Sequence, residues 1–119
     1  MPNYVGFLRG TGEAQSDLSP EELQHTLERY MAWSEKLAAE GNPPTGGGLS
    51  TSKSRVLRRD ANGLSVTAGP FVEATEILGG YITIEAADLD EAEQLFSTHP
   101  HLDFGSIEVR KVGERGCEA

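Results

Sequence analysis

The four residues Ser19-Pro20-Glu21-Glu22 constrain this chain more than any other stretch. A capping serine, a proline at the first helical position and a glutamate three residues after the cap make a reciprocal capping box, so a helix starts here. Behind it Leu23, Leu27, Tyr30, Met31, Ser34, Leu37 and Ala38 recur at helical spacing, which predicts one stripe facing a core. Gly41 and Asn42-Pro43-Pro44 stop the helix.

Residues 4–9, ahead of that helix, are rich in β-formers and apolar on both faces: Val5 and Phe7 on one, Tyr4 and Leu8 on the other. This pattern predicts a central strand. After the helix, the run Gly46-Gly47-Gly48 reads as a flexible loop, and its brevity and the matching elements on either side keep it within one domain; it is no phosphate-binding loop, because no lysine and Ser/Thr follow at the required spacing. Residues 55–59 and 64–67 are strands joined through Asn62-Gly63, and residues 81–86 alternate as another. Asp88-Leu89-Asp90-Glu91 then opens a second helix, with Leu89, Ala92, Leu95 and Phe96 inward until His99-Pro100 ends it. Residues 106–112 form the last strand, and residues 113–119 a polar tail to a single domain spanning 1–119.

The order β-α-β-β-β-α-β is a ferredoxin-like α+β plan with one added strand, an antiparallel sheet carrying both helices on one face because the crossovers are right-handed. Ile82, Ile84, Ile107 and Val109 then fit under the helices, and Tyr81, Thr83, Glu108 and Arg110 point away. A half-aromatic, half-polar face suits packing against a symmetric copy of itself around a wet cavity. The chain is therefore expected to be a homodimer, with Tyr81, Thr83, Glu108 and Arg110 lining a ligand cavity. Arg110 is suited to holding a small anionic ligand by a bidentate contact. With 119 residues and 37% hydrophobic content, a partner covering part of the core is a natural remedy for a lean interior.

A net charge of −9 disfavours nucleic-acid phosphates and anionic membrane surfaces. Lys53, Arg55, Arg58 and Arg59 cluster, but Val56 and Leu57 interrupt them in an alternating strand, so they read as a solvated strand face and no direct nucleic-acid binding is expected. No apolar run approaches the roughly 20 residues of a spanning helix, and the N-terminus lacks a basic region followed by an apolar one, so a cytoplasmic protein away from membranes is expected. The lone Cys117 has no partner for a disulfide or a thiolate metal site, and no cofactor or metal is expected. His25 lies opposite the helical stripe and should face solvent. His99 and His101 flank Pro100 where the second helix ends, and their simplest role is a favourable contact with the negative end of the helix dipole.

Three stretches carry a resemblance: Leu18-Ser19-Pro20-Glu21-Glu22 with its helix, Gly69-Pro70-Phe71-Val72-Glu73 through Glu76 to Gly79-Gly80-Tyr81, and Gly105-Ser106-Ile107-Glu108-Val109-Arg110. On these the chain resembles the YCII-related proteins of the DGPF branch. The resemblance implies a dimeric α+β barrel. It says little about reaction: some members are encoded beside or fused to alternative sigma factors, and a few wider relatives are lyases or isomerases that use a His-Asp pair on ring-derived substrates. In this chain the motif's Asp is Ala68, and the basic residue usual between the two glutamates is Thr75. The leading expectation is a non-catalytic or degenerate dimer that binds a small ligand or a protein partner, in a stress-linked regulatory role. The alternatives are a lyase or isomerase using Glu73, Glu76 or His99 for proton transfer, and an interaction module acting with an alternative sigma factor.

Overall fold

The structure, a computed structural model, describes residues 1–11, 17–69 and 77–119. Along the chain its elements are β1 (Asn3–Gly10), α1 (Pro20–Ala39), β2 (Thr45–Gly48), β3 (Arg55–Asp60), β4 (Gly63–Ala68), β5 (Ile77–Glu85), α2 (Leu89–Phe96), a 3-10 turn (Pro100–Asp103) and β6 (Ser106–Lys111).

Both ends of α1 form as their sequence demands. Ser19 Oγ accepts from the Glu22 N–H at 3.2 Å, and the Glu22 carboxylate accepts from the Ser19 N–H in return. At the other end Gly41 takes a φ of +86°, and the N–H groups of Gly41 and Asn42 donate to the carbonyls of Ala38 and Leu37 at 3.0 and 2.9 Å, a Schellman closure. The Asn42 side chain then bonds both ways to the Glu85 backbone, donating at 2.7 Å and accepting at 3.0 Å. It takes the place of a strand partner and fastens the helix end to β5. Ser19→Ala is expected to cost about 1 kcal/mol, seen as a lower urea midpoint at unchanged slope. In α2 the Asp88 carboxylate caps the Glu91 N–H at 2.8 Å, whereas the Glu91 carboxylate reaches the Ala87 N–H, one residue before the partner expected of a capping box.

The main sheet has the order β2-β5-β1-β6 with every pair antiparallel and β1 central. This is the ferredoxin-like plan. The added strand is placed differently from the expectation: the glycine run read as a loop is the edge strand β2, and β3 and β4 leave the sheet to pair with each other as a separate hairpin. Glycine has little intrinsic taste for strands, but it permits close backbone approach. Gly46 has a φ of +140°, and a Cβ there would collide with the Tyr81 carbonyl of β5.

Tyr4, Trp33, Leu37, Ile84, Ala86, Ala92 and Phe96 form the core, so both helices cover one sheet face, with Ile82, Leu95, Ile107 and Val109 packed against the cluster. The stripe predicted for α1 is corrected. Trp33 and Leu37 are buried and Tyr30 and Ser34 half-buried, while Leu23, Leu27 and Met31 are 45%, 52% and 54% exposed and Ala38 lies on the surface. The helix turns its aromatic side inward because the Trp33 indole finds a full set of partners there. Its ring stacks on Phe96 at 5.8 Å, and its N–H donates to the Leu95 carbonyl and to Thr98 Oγ1 at 3.2 and 3.1 Å.

Candidate functional site

Beyond α2 the chain turns at His99, whose Nδ1 accepts the His101 N–H at 3.0 Å and so caps the 3-10 turn. With Nδ1 occupied as an acceptor, a neutral ring carries its proton on Nε2. The ring sits edge-on to Trp33 and Tyr30 of α1 at centroid distances of 4.6 and 4.9 Å and is 3% exposed. Burial lowers its pKa from an ordinary 6.5 to about 4, with a smaller contribution from the nearby His101. This overturns the helix-dipole reading for His99. A ring that stays neutral among aromatics supplies no cation to the end of α2. His101 is also buried: its Nε2–H donates to the Arg9 carbonyl at 2.9 Å, which leaves Nδ1 facing the Tyr30 hydroxyl at 3.4 Å.

A cavity of about 270 Å³ opens beside His99, between α1 and the β2–β5 edge of the sheet. Tyr30, Ser34 and His99 line the helix side, and Leu8, Ile82, Gly46, Gly47, Gly48, Gly79 and Gly80 line the sheet side. The pairing register explains why space exists there. Gly48, Gly80 and Leu8 form one row across the sheet on the face that the helices cover, and the two glycines carry no side chain to fill the layer. Among the described residues no buried side-chain nitrogen or oxygen lacks a partner, and His99 Nε2 bonds to none of them, so that nitrogen is open to the cavity. At neutral pH it presents a donor. No lysine or arginine is among the residues lining the cavity, so the walls favour a small, mostly apolar molecule with an acceptor atom over a carboxylate.

Tyr81, Thr83, Glu108 and Arg110 come together on the opposite face of the sheet. Thr83 and Arg110 flank Val5, and Tyr81 and Glu108 flank Phe7, in adjacent rows. Glu108 pairs there with Arg9 at 3.2 Å, which leaves Arg110 with no acid partner among the described residues. Glu73 and Glu76 lie outside the described residues. Ala68, at the end of β4, is exposed, as is His25 on α1. Asp103 pairs with Arg29 at 2.9 Å, and among the described residues no set of three metal-ligating side chains converges.

Sequence reasoning missed Tyr30 and Ser34 as cavity residues and the glycines as its wall. The signal was the pair of glycine-rich segments, residues 46–48 and 79–80, which become adjacent only once both are read as strands. Among the described residues no helix is long and apolar enough to cross a membrane. No curated protein matches the chain. Residues 5–115, nearly the whole length, match the YCII-related domain family, and the chain is a member of that family.

Proposed function

We propose that this protein is a cytoplasmic homodimer of the DGPF branch that binds a small, uncharged ligand in the His99 cavity and does not turn it over. The observation that carries this reading is the hydrogen-bonding state of His99. Its basic lone pair is spent on the His101 amide, and the nitrogen facing the cavity already holds a proton. Such a ring can donate to a carbonyl or hydroxyl oxygen, but it accepts a proton from a ligand only by breaking its own cap. A lyase or isomerase needs a general base within reach of its substrate, and Ala68 in place of the motif's acid is consistent with its loss. The dimer forms over the open sheet face, where Val5, Phe7 and Tyr81 offer apolar area and Thr83, Glu108 and Arg110 a polar surround able to hold a small anion.

The test fills the cavity without straining the fold. A Cβ on Gly48 would meet only the Gly79 carbonyl, at 3.9 Å, and β-branched residues suit a strand, so Gly48→Val should fold. Phenol, 4-hydroxybenzaldehyde and benzoate serve as probes in ligand-observed NMR. The neutral probes are expected to bind the wild type, to prefer it to Gly48→Val by roughly tenfold or more, in line with the 1–3 kcal/mol cost of overpacking, and to outbind benzoate. Equal binding to both proteins would remove the cavity from consideration. Turnover of any probe would replace the binding reading with an enzymatic one.

A further inference from the structure

Among the described residues, strands β3 and β4 pair only with each other and belong to no larger sheet. A two-stranded hairpin on its own is marginal in water, and this one leaves the apolar side chains of one face uncovered. In its register Leu57 lies opposite Val66 and Arg59 opposite Leu64, so Leu57, Leu64 and Val66 share one face with Arg55 and Arg59. Those three apolar residues are 61%, 57% and 52% exposed. The radius of gyration, 16.5 Å, exceeds the roughly 13.5 Å of a compact chain of this length.

The chain also carries a surface of matching shape and opposite charge. The residues of α1 displaced from the core, Leu23, Leu27 and Met31, make an exposed aliphatic row. Glu21, Glu28 and Glu35, seven residues apart and all exposed, run along the side of that row away from the core. Residues 53–68 hold four of the ten cationic side chains but only one of the nineteen acidic ones, so the body that the arm would meet in another copy is strongly acidic. Two arms face to face would stack arginine against arginine.

We infer that the β3–β4 hairpin of one copy docks on α1 of a second copy, with Leu57, Leu64 and Val66 on the Leu23, Leu27, Met31 row and Arg55 and Arg59 against the glutamates. The contact covers apolar area on both partners and pairs charges of opposite sign at its rim, the arrangement that gives an interface its register. The helix row lies on the opposite layer from the open sheet face, so the two contacts do not compete. Polyanions are poor occupants of the arm, because three exposed apolar side chains share its face with the arginines and the rest of the chain repels phosphate.

Single cysteines at the centre of each patch test this, introduced as Leu57→Cys and Leu27→Cys in a Cys117→Ser background that removes the exposed native thiol. Under mild oxidation a mixture of the two full-length variants is expected to cross-link several-fold more than either variant alone. Adding Arg59→Glu to the arm variant should reduce the yield, and adding Glu28→Lys to the helix variant should restore it. Cross-linking of Leu57→Cys chiefly to itself, an intrachain bond in the double-cysteine chain at high dilution, or retention of a labelled DNA duplex without cross-linking would each overturn the inference. Absence of any cross-link in a sample that sediments as a dimer would overturn the arm contact and leave the sheet-face dimer standing. A monomer without cross-links would remove both.

Discussion

Acidification from pH 7 to pH 4 is expected to cost the folded protein on the order of 3 kcal/mol through His99 alone. The ring's folded pKa, about 4, lies below its ordinary 6.5 because burial between Trp33 and Tyr30 penalises the imidazolium. The sign follows directly. Above pH 6.5 neither state holds the proton and His99 contributes no pH dependence. Below it the unfolded chain takes the proton up and the folded chain refuses it, so stability falls by up to about 1.4 kcal/mol per pH unit until the folded ring also titrates near 4. Protonation would in addition put a hydrogen on Nδ1 and set it against the His101 amide that it now accepts from. The check is urea denaturation at pH 7, 5.5 and 4 for the wild type and His99→Asn. An asparagine can still cap the 3-10 turn but does not titrate. The variant starts less stable, because the ring contacts are gone, and its stability should fall less with acid. Parallel pH profiles for the two proteins would show that another group governs acid sensitivity.

How much of this was legible in the sequence depends on whether a signal was local. The capping serine, the Gly41 stop and the alternation of Tyr81 to Glu85 are decided by neighbours within a turn or a strand, and the structure shows each where the pattern put it. The sharing of one face by Tyr81, Thr83, Glu108 and Arg110 was readable for the same reason, since period-two alternation needs only the strand assignment. The glycine strand was not readable. Apart from Thr45, residues 45–48 are glycines that carry no compositional mark of a strand, and they pair because β5 offers an open edge and room for close approach. The cavity followed it into obscurity, being the space those glycines leave. His99 was misjudged for a related reason: its position after a helix is local, whereas its burial is imposed by Trp33, more than sixty residues earlier.

The face that α1 buries separates local pattern from tertiary packing most sharply, and Trp33→Ala should show it as the largest stability loss of any substitution on that helix. Trp33 stacks on Phe96, meets His99 edge-on and places its N–H between the Leu95 carbonyl and Thr98 Oγ1, so it joins both helices and the 3-10 turn. Truncation to alanine is expected to cost about 3–5 kcal/mol, a large share of the roughly 5–15 kcal/mol that holds a domain of this kind. Trp33→Phe should cost less, because it retains a ring against Phe96 and because Thr98 Oγ1 still donates to the Leu95 carbonyl at 3.2 Å. Leu27→Ala tests the other face of the same helix. A core role, as helical spacing alone implies, would make it lose about 2–5 kcal/mol. An exposed leucine, as the structure has it, should lose less than about 0.5 kcal/mol at protein concentrations low enough to prevent association. Chemical denaturation of the three variants under identical conditions gives the ordering, and a Leu27→Ala loss equal to that of Trp33→Ala would put α1 in the wrong rotation about its own axis.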